Sequence, residues 1–294
     1  MLSAFSSSRQ GRLHQNKNIP CQDYSYAVHT IDGGVLLAAA DGLGSCAHAE
    51  KASYTALHAA AGFFQSCAST LVHFPNGGNE KLQMAEALLV AACVRASISV
   101  DKMAQRCKLP LHECETTLSI AYYDGRHICW SHCGDGAIYG LTSFGTVKKL
   151  TVEDNGESIY EVHPLRELRF QRGHDAMEEY AGLCMATDGL HEVFQPQLLR
   201  GRVYERLIAY AFGMCDTSAI DQFFNQAERI TALEPTGRCQ LFDLLSQDES
   251  DCFLQDDISL CIARNDDLIQ LIDKQYEEPD WSEGIEALRK LMVL

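Results

Sequence analysis

The chain has no apolar stretch approaching the roughly 18 uninterrupted residues of a membrane span. Its opening residues, Met1-Leu2-Ser3-Ala4-Phe5-Ser6-Ser7-Ser8-Arg9, hold no apolar core of the kind that marks a secretory leader. A membrane span and export are therefore not expected, and the sequence is read as cytoplasmic. Prolines number only seven in 294 residues, and no Pro/Ser-rich linker, low-complexity tract or internal repeat divides the chain. Fibrous, solenoid and disordered architectures are excluded. Basic charge is scarce as well: 24 Lys and Arg stand against 40 Asp and Glu, a formal charge of −16. Such a balance repels nucleic acid and anionic membrane, so neither is an expected partner. No Cys-x-x-Cys occurs. The closest cluster, Cys129-Trp130-Ser131-His132-Cys133, lies in a strand-like run that turns His132 away from both thiols, which argues against zinc.

What remains is an ordinary globular composition, 46% apolar and 22% charged, long enough for one sizeable core. The thirteen cysteines are odd in number, and several sit inside apolar runs such as Ala92-Cys93-Val94 and Leu260-Cys261-Ile262. They read as reduced thiols packed as small hydrophobes, not as a disulfide framework.

After a polar opening segment, residues 24–29 and 35–40 read as a hairpin around Asp32-Gly33-Gly34. Helical spacing follows over residues 47–64 and 80–106. Four strands at 116–123, 127–133, 137–141 and 146–150, separated by tight turns, predict an antiparallel meander. Residues 152–181 are polar, lack a period and read as a surface excursion, while Leu183 returns to a sheet. Helices are expected over 196–213, 219–232 and 237–246, then a last strand at 258–263. The amphipathic tail from Asp266 to Leu294, with Trp281 and the Ile285/Leu288/Leu291 spacing, reads as one or two terminal helices. The expected class is α+β, one catalytic domain over residues 1–264 with a helical extension over 265–294.

Four acidic motifs punctuate this pattern: Pro20-Cys21-Gln22-Asp23, Ala40-Asp41-Gly42-Leu43-Gly44, Thr187-Asp188-Gly189-Leu190 and Gln255-Asp256-Asp257-Ile258-Ser259. Two of them end an apolar strand in a carboxylate and a glycine. Carboxylates converging from strand ends repel one another, and hard divalent cations held by oxygen ligands relieve that repulsion.

The ordered set resembles the metal-dependent protein phosphatase 2C-like family in its bacterial-type branch. Gly11-Arg12-Leu13-His14 through Gln22-Asp23 is similar to its first motif, Glu115-Thr116-Thr117-Leu118 to its Gly-Thr-Thr-Leu strand, and Gly134-Asp135-Gly136-Ala137-Ile138-Tyr139 to its Gly-Asp-Ser-Arg-x-Tyr turn; the likeness runs over roughly residues 5 to 264. It implies a four-layer α-β-β-α sandwich of two antiparallel sheets flanked by helix pairs. It also implies two Mn2+ or Mg2+ ions: Asp41 bridging them, the Gly42 carbonyl on one, Asp188 and Asp256 on one, and Asp23 acting through water. A third, looser position maps onto Asp135, Asp188 and Glu192. The activity implied is hydrolysis of phosphoserine and phosphothreonine by a metal-activated water, with a phosphorylated protein as substrate and a Ser/Thr kinase as a possible partner. A regulatory module that keeps the fold without turnover, or a phosphatase of a small phosphorylated metabolite, are the alternatives.

The chain departs from the family pattern at several places. Gln22 stands where many relatives carry Glu. Asn18 occupies the position of the arginine that grips substrate phosphate, which leaves His14 as the preferred substitute, with Lys17 and Arg12 as alternatives. Leu43 follows Asp-Gly where some relatives place a histidine, and Asp257 replaces the common Asn after the last ligand. The substrate-specifying flap is expected between Val152 and Gly182, and its basic residues Arg166, Arg169, Arg172 and His174 spell no legible peptide preference.

Overall fold

In Val35–Ala40 every residue is apolar, so the strand has no face that tolerates water, and all six residues are buried. Its alternation divides the core: Leu36, Ala38 and Ala40 join a cluster beneath helices, while Val35, Leu37 and Ala39 join a second cluster between two sheets. The structure is a computed structural model that describes residues 1–74, 78–152, 162–192, 208, 211–233, 256–270 and 272.

The strands are β1 (Leu2–Arg9), β2 (Tyr24–His29), β3 (Val35–Ala40), β4 (Leu118–Tyr123), β5 (Ile128–Cys133), β6 (Ala137–Thr142), β7 (Val147–Lys149), β8 (Gln171–Asp175), β9 (Tyr180–Ala186) and β10 (Ile258–Asn265). The helices are α1 (Arg12–Lys17), α2 (Ala49–Cys67), α3 (Asn79–Cys107), α4 (Gly189–Glu192), α5 (Thr217–Leu233) and α6 (Asp266–Ile269). One five-stranded sheet runs β1-β10-β9-β6-β7 and the other β2-β3-β4-β5-β8, with every neighbouring pair antiparallel. Helices α2 and α3 cover the outer face of the second sheet. Phe212, Ile220, Phe223 and Phe224 cover the first against Ile258, Leu260 and Ile262. The fold is therefore the α+β, two-sheet arrangement expected. Each fully buried Leu, Ile or Phe contributes roughly 1.5–3 kcal/mol to it.

Helix α3 is long and apolar enough to cross a membrane by length and composition alone. Here its apolar residues recur three or four apart (Leu82, Ala85, Leu89, Ala92, Cys93, Ala96, Val100), and that stripe is buried against α2 and the sheet. At the end of the sandwich away from the acidic motifs, Lys81 of α3 reaches Asp32 in the β2–β3 turn at 2.8 Å, and Thr30 and Tyr122 donate to the same carboxylate.

Three expectations need correction. The strands from 116 to 150 are not one meander: β4 and β5 belong to one sheet, β6 and β7 to the other. Gly134-Asp135-Gly136, which reads as a hairpin turn, carries the chain between sheets. Gly134 takes φ +117°, and a Cβ there would lie 2.5 Å from Thr117 Cγ2, so the crossing needs glycine. The supposed excursion 152–181 contains β8 and the start of β9. Strand β8 is an edge strand of polar residues that pairs through its backbone with β5, so no apolar period announces it. Gly173 faces Trp130 in that pairing, and a Cβ on it would come within 2.7 Å of the indole ring. Within the polar opening segment, β1 pairs with β10 at all eight positions although only Phe5 of its residues is buried.

The helix expected over 237–246, most of 196–213 and the tail beyond residue 272 lie outside the described residues.

Candidate metal centre

Four strand ends and one inter-sheet crossing meet at one end of the sandwich. β3 delivers Asp41 and Gly42, β9 delivers Thr187 and Asp188, the start of β10 brings Asp256 and Asp257, the segment entering β2 brings Gln22 and Asp23, and the crossing after β5 brings Asp135. Backbone and hydroxyl groups hold these ends in place. The Asp41 carbonyl accepts from the Thr117 N–H at 2.8 Å and the Thr116 hydroxyl at 2.7 Å, and the Asp41 N–H donates to Thr117 Oγ1 at 3.1 Å. Gly42 donates to the Gln22 carbonyl at 3.1 Å and bridges Thr116. A Cβ at Gly42 would meet Ala49 at 2.7 Å, and one at Gly189 would meet the Asp257 carbonyl oxygen at 2.0 Å. Both Asp-Gly pairs thus need glycine for close backbone approach.

Asp41, Asp135 and Asp188 can each offer an oxygen within 4.8 Å of the other two. Asp23 is 1% exposed; its Oδ2 accepts from the Thr187 hydroxyl at 2.6 Å, and that hydroxyl oxygen accepts the Ser259 N–H at 2.8 Å. Among the described residues, buried Asp23 Oδ1, Asp188 Oδ1 and Gln22 Oε1 have no hydrogen-bond donor. Buried carboxylate oxygens without donors, beside a half-buried acidic cluster, suit a site that takes a cation.

The electrostatics agree. Burial pushes the Asp41 carboxyl well above the usual carboxylate range, and the neighbouring Asp23, Asp188 and Asp256 add to the shift. Burial does the same for Asp188, with Asp135, Asp256 and Asp23 adding to it. Asp23 and Asp256 are raised by burial too, in part against the hydrogen bonds that each accepts. A cluster of this kind holds protons more tightly than free carboxylates do, and cations compete for the same oxygens. The donors are all oxygens, which suits hard divalent ions such as Mg2+ or Mn2+ better than zinc.

The sequence placed Asp23, Asp41, Gly42, Asp135, Asp188 and Asp256 in this site, and the structure brings them together at one end of the sandwich. The side chain of Glu192, like that of His191, lies outside the described residues. His14 is 6% exposed, and its Nδ1 is 2.9 Å from Asp257 Oδ2. Asn18 caps α1 in the left-handed region at φ 54°. The basic residues of the 152–182 segment are engaged with acids: Arg166 with Glu115 at 3.0 Å, Arg169 with Glu167 at 3.1 Å, Arg172 with Glu86 at 3.7 Å and His174 with Glu86 at 2.6 Å. Sequence reasoning missed Thr187 and the hydroxyls of Thr116 and Thr117. Their signal was adjacency to a ligand motif, which by itself does not tell a buried donor from a strand residue.

Residues 10–230 match a sequence profile described as protein phosphatase 2C. Among solved structures, the serine/threonine phosphatase Stp1 from Staphylococcus aureus is similar at 15% identity and TM-score 0.57, covering 90% of this chain and 95% of that one. The S. agalactiae serine/threonine phosphatase is similar at 12% identity and TM-score 0.60, covering 90% and 99%. The catalytic domain of the serine/threonine protein phosphatase PstP, solved with two manganese ions, is similar at 17% identity and TM-score 0.54, covering 90% and 97%. At these identities the structural likeness speaks to the fold. No curated protein matches the chain in sequence.

Proposed function

The chain belongs to the protein phosphatase 2C family, and from that premise we propose that it is a metal-dependent phosphatase acting on phosphoserine and phosphothreonine in proteins. One observation carries the reading: carboxylates from separate strand ends converge, with Asp41, Asp135 and Asp188 able to offer oxygens within 4.8 Å of one another and with buried oxygens of Asp23 and Asp188 left without a donor among the described residues. Asp41, the Gly42 carbonyl, Asp188 and Asp256 would hold two Mn2+ or Mg2+ ions, with Asp23 acting through water and Asp135, Asp188 and Glu192 at a third, looser position. When bound, such ions supply the Lewis acidity that makes hydroxide available near neutral pH and offsets charge on a phosphoryl group.

The protein's own part is positional. Thr116 and Thr117 fix the Asp41 backbone, Thr187 orients Asp23, and the two glycines let the ligand strands approach closely. A chain of charge −16 would otherwise repel a phosphate dianion, so substrate binding should depend on the cations. We place this work in a reducing cytoplasm, away from nucleic acid and membrane, opposite a Ser/Thr kinase that supplies the substrate. Support for the compartment comes from buried free thiols at Cys93, Cys129, Cys184 and Cys261. We also assign residues 1–264 to the catalytic domain and 265–294 to an extension.

The test is phosphate release with Mn2+ from a phosphothreonine peptide and from sugar phosphates. The proposal expects the peptide to be turned over with the higher kcat/KM. Equal or better turnover of sugar phosphates would refute the protein substrate, and metal binding with no turnover of either would refute the enzyme.

A further inference from the structure

The Asp257 carboxylate has no assigned duty, yet its side chain is fully buried. Its Oδ1 accepts the Gly11 N–H at 2.7 Å; its Oδ2 accepts the Gln22 N–H at 2.5 Å and the His14 Nδ1–H at 2.9 Å. His14, Asp256 and Asp257 lie close enough together to suggest a cation site. The hydrogen bonding points elsewhere: both Asp257 oxygens already face N–H donors. Asp256 Oδ1 takes the Asp257 N–H at 2.8 Å. The cluster is a tie, and its three donors lie 235 to 246 residues away in sequence.

Its place explains its use. On one side Asp257 follows Asp256 directly; on the other it grips the backbone of Gln22, the residue before Asp23. Resting on the metal-centre reading above, we propose that Asp257 and His14 form a positioning pair that sets Asp23 against Asp41 and Asp256. Three N–H donors require an acceptor with two anionic oxygens, and an Asn here would turn its own NH2 group toward one of them. The Asp in place of the family's common Asn and the buried histidine of the Gly-x-x-His motif are therefore one device. His14 acts through Asp257 and not on the substrate.

The test uses chelator-stripped full-length protein, with Mn2+ binding measured by calorimetry and hydrolysis of p-nitrophenyl phosphate followed separately. Asp257→Asn and His14→Ala are expected to weaken Mn2+ binding at least tenfold and lower kcat, with KM changed less than threefold. His14→Asn, whose amide N–H can stand in for Nδ1–H, is expected to stay within threefold of wild type in both. The double variant His14→Ala/Asp257→Asn should lose no more than Asp257→Asn alone. Circular dichroism melts confirm folding, and the His14 variants carry the test if Asp257→Asn does not fold. A KM raised tenfold in both His14 variants with Mn2+ affinity unchanged would instead make His14 a phosphate-binding group and overturn the proposal. Wild-type Mn2+ affinity in His14→Ala would overturn it too. Failure of the wild type itself to bind Mn2+ would sink the metal-centre reading on which the pair depends.

Discussion

Stripping the metals and raising the pH should destabilise this protein, and the acidic cluster sets the sign. Burial raises the carboxyls of Asp23, Asp41, Asp188 and Asp256, so the folded, metal-free chain holds protons that the unfolded chain has released. Where the folded state binds more protons, stability falls as pH rises, by about 1.4 kcal/mol per pH unit for each proton retained. One retained proton over pH 6.5 to 8.0 gives about 2 kcal/mol, or about 4 °C in Tm at roughly 2 °C per kcal/mol for a chain of this size. The window matters. Burial holds His132 down at about 4, which lowers stability as pH falls through its ordinary value near 6.5, so it acts mostly beneath the window and opposes the carboxyls by only about 0.4 kcal/mol within it. Buried thiols such as Cys93 and Cys261, pushed up to about 12, act in the same direction as the carboxyls toward the upper end of the window, by about 0.2 kcal/mol each at pH 8.0 as unfolded thiols begin to ionise. Differential scanning fluorimetry of chelator-treated protein at pH 6.5, 7.25 and 8.0 reads the effect directly. Asp188→Asn should flatten the slope by removing one member of the cluster, and saturating Mg2+ should remove the carboxyl part of it, leaving only the small contribution of the thiols near pH 8. A chelated wild type whose Tm is constant or rises across this window, or a slope that Asp188→Asn leaves intact, would refute the reasoning.

Two further substitutions probe how the site and the fold are held. Thr187→Val removes the hydroxyl between Asp23 and the Ser259 N–H, both buried; a loss of about 1–3 kcal/mol in urea unfolding is expected, together with weaker Mn2+ binding by calorimetry. Lys81→Met leaves the Asp32 carboxylate, whose side chain is 1% exposed, without its cation at the far end of the sandwich. It should cost about 3–5 kcal/mol in the same unfolding assay while kcat/KM at temperatures where the variant is folded stays at the wild-type value.

The parts of this molecule that could be read ahead of its structure are those whose reason is local. Strand β3 is apolar on both faces, and the α2 and α3 stripes repeat at helical spacing, so each declares its burial within a few residues. The Asp-Gly motifs declare themselves because a carboxylate ending a buried strand has no packing role. Strands β1 and β8 stayed hidden because backbone ladders to distant partners stabilise them, and their side chains are largely polar. The crossing at Gly134-Asp135-Gly136 has the composition of a turn, and only the pairing of β6 with β9 reveals that the chain has changed sheets. His14 read as the preferred group to grip substrate phosphate. Nothing near it in sequence betrays a carboxylate 243 residues away.

The most direct trial of the central claim is phosphate release from a phosphothreonine peptide by chelator-stripped enzyme, with and without restored Mn2+, for wild type and Asp41→Asn. A metal centre built on Asp41 predicts no release without metal, recovery on adding Mn2+ to the wild type, and at least a hundredfold lower rate in the variant at the same Mn2+ concentration. Release that persists in chelator, or an Asp41→Asn enzyme as fast as the wild type, would contradict it.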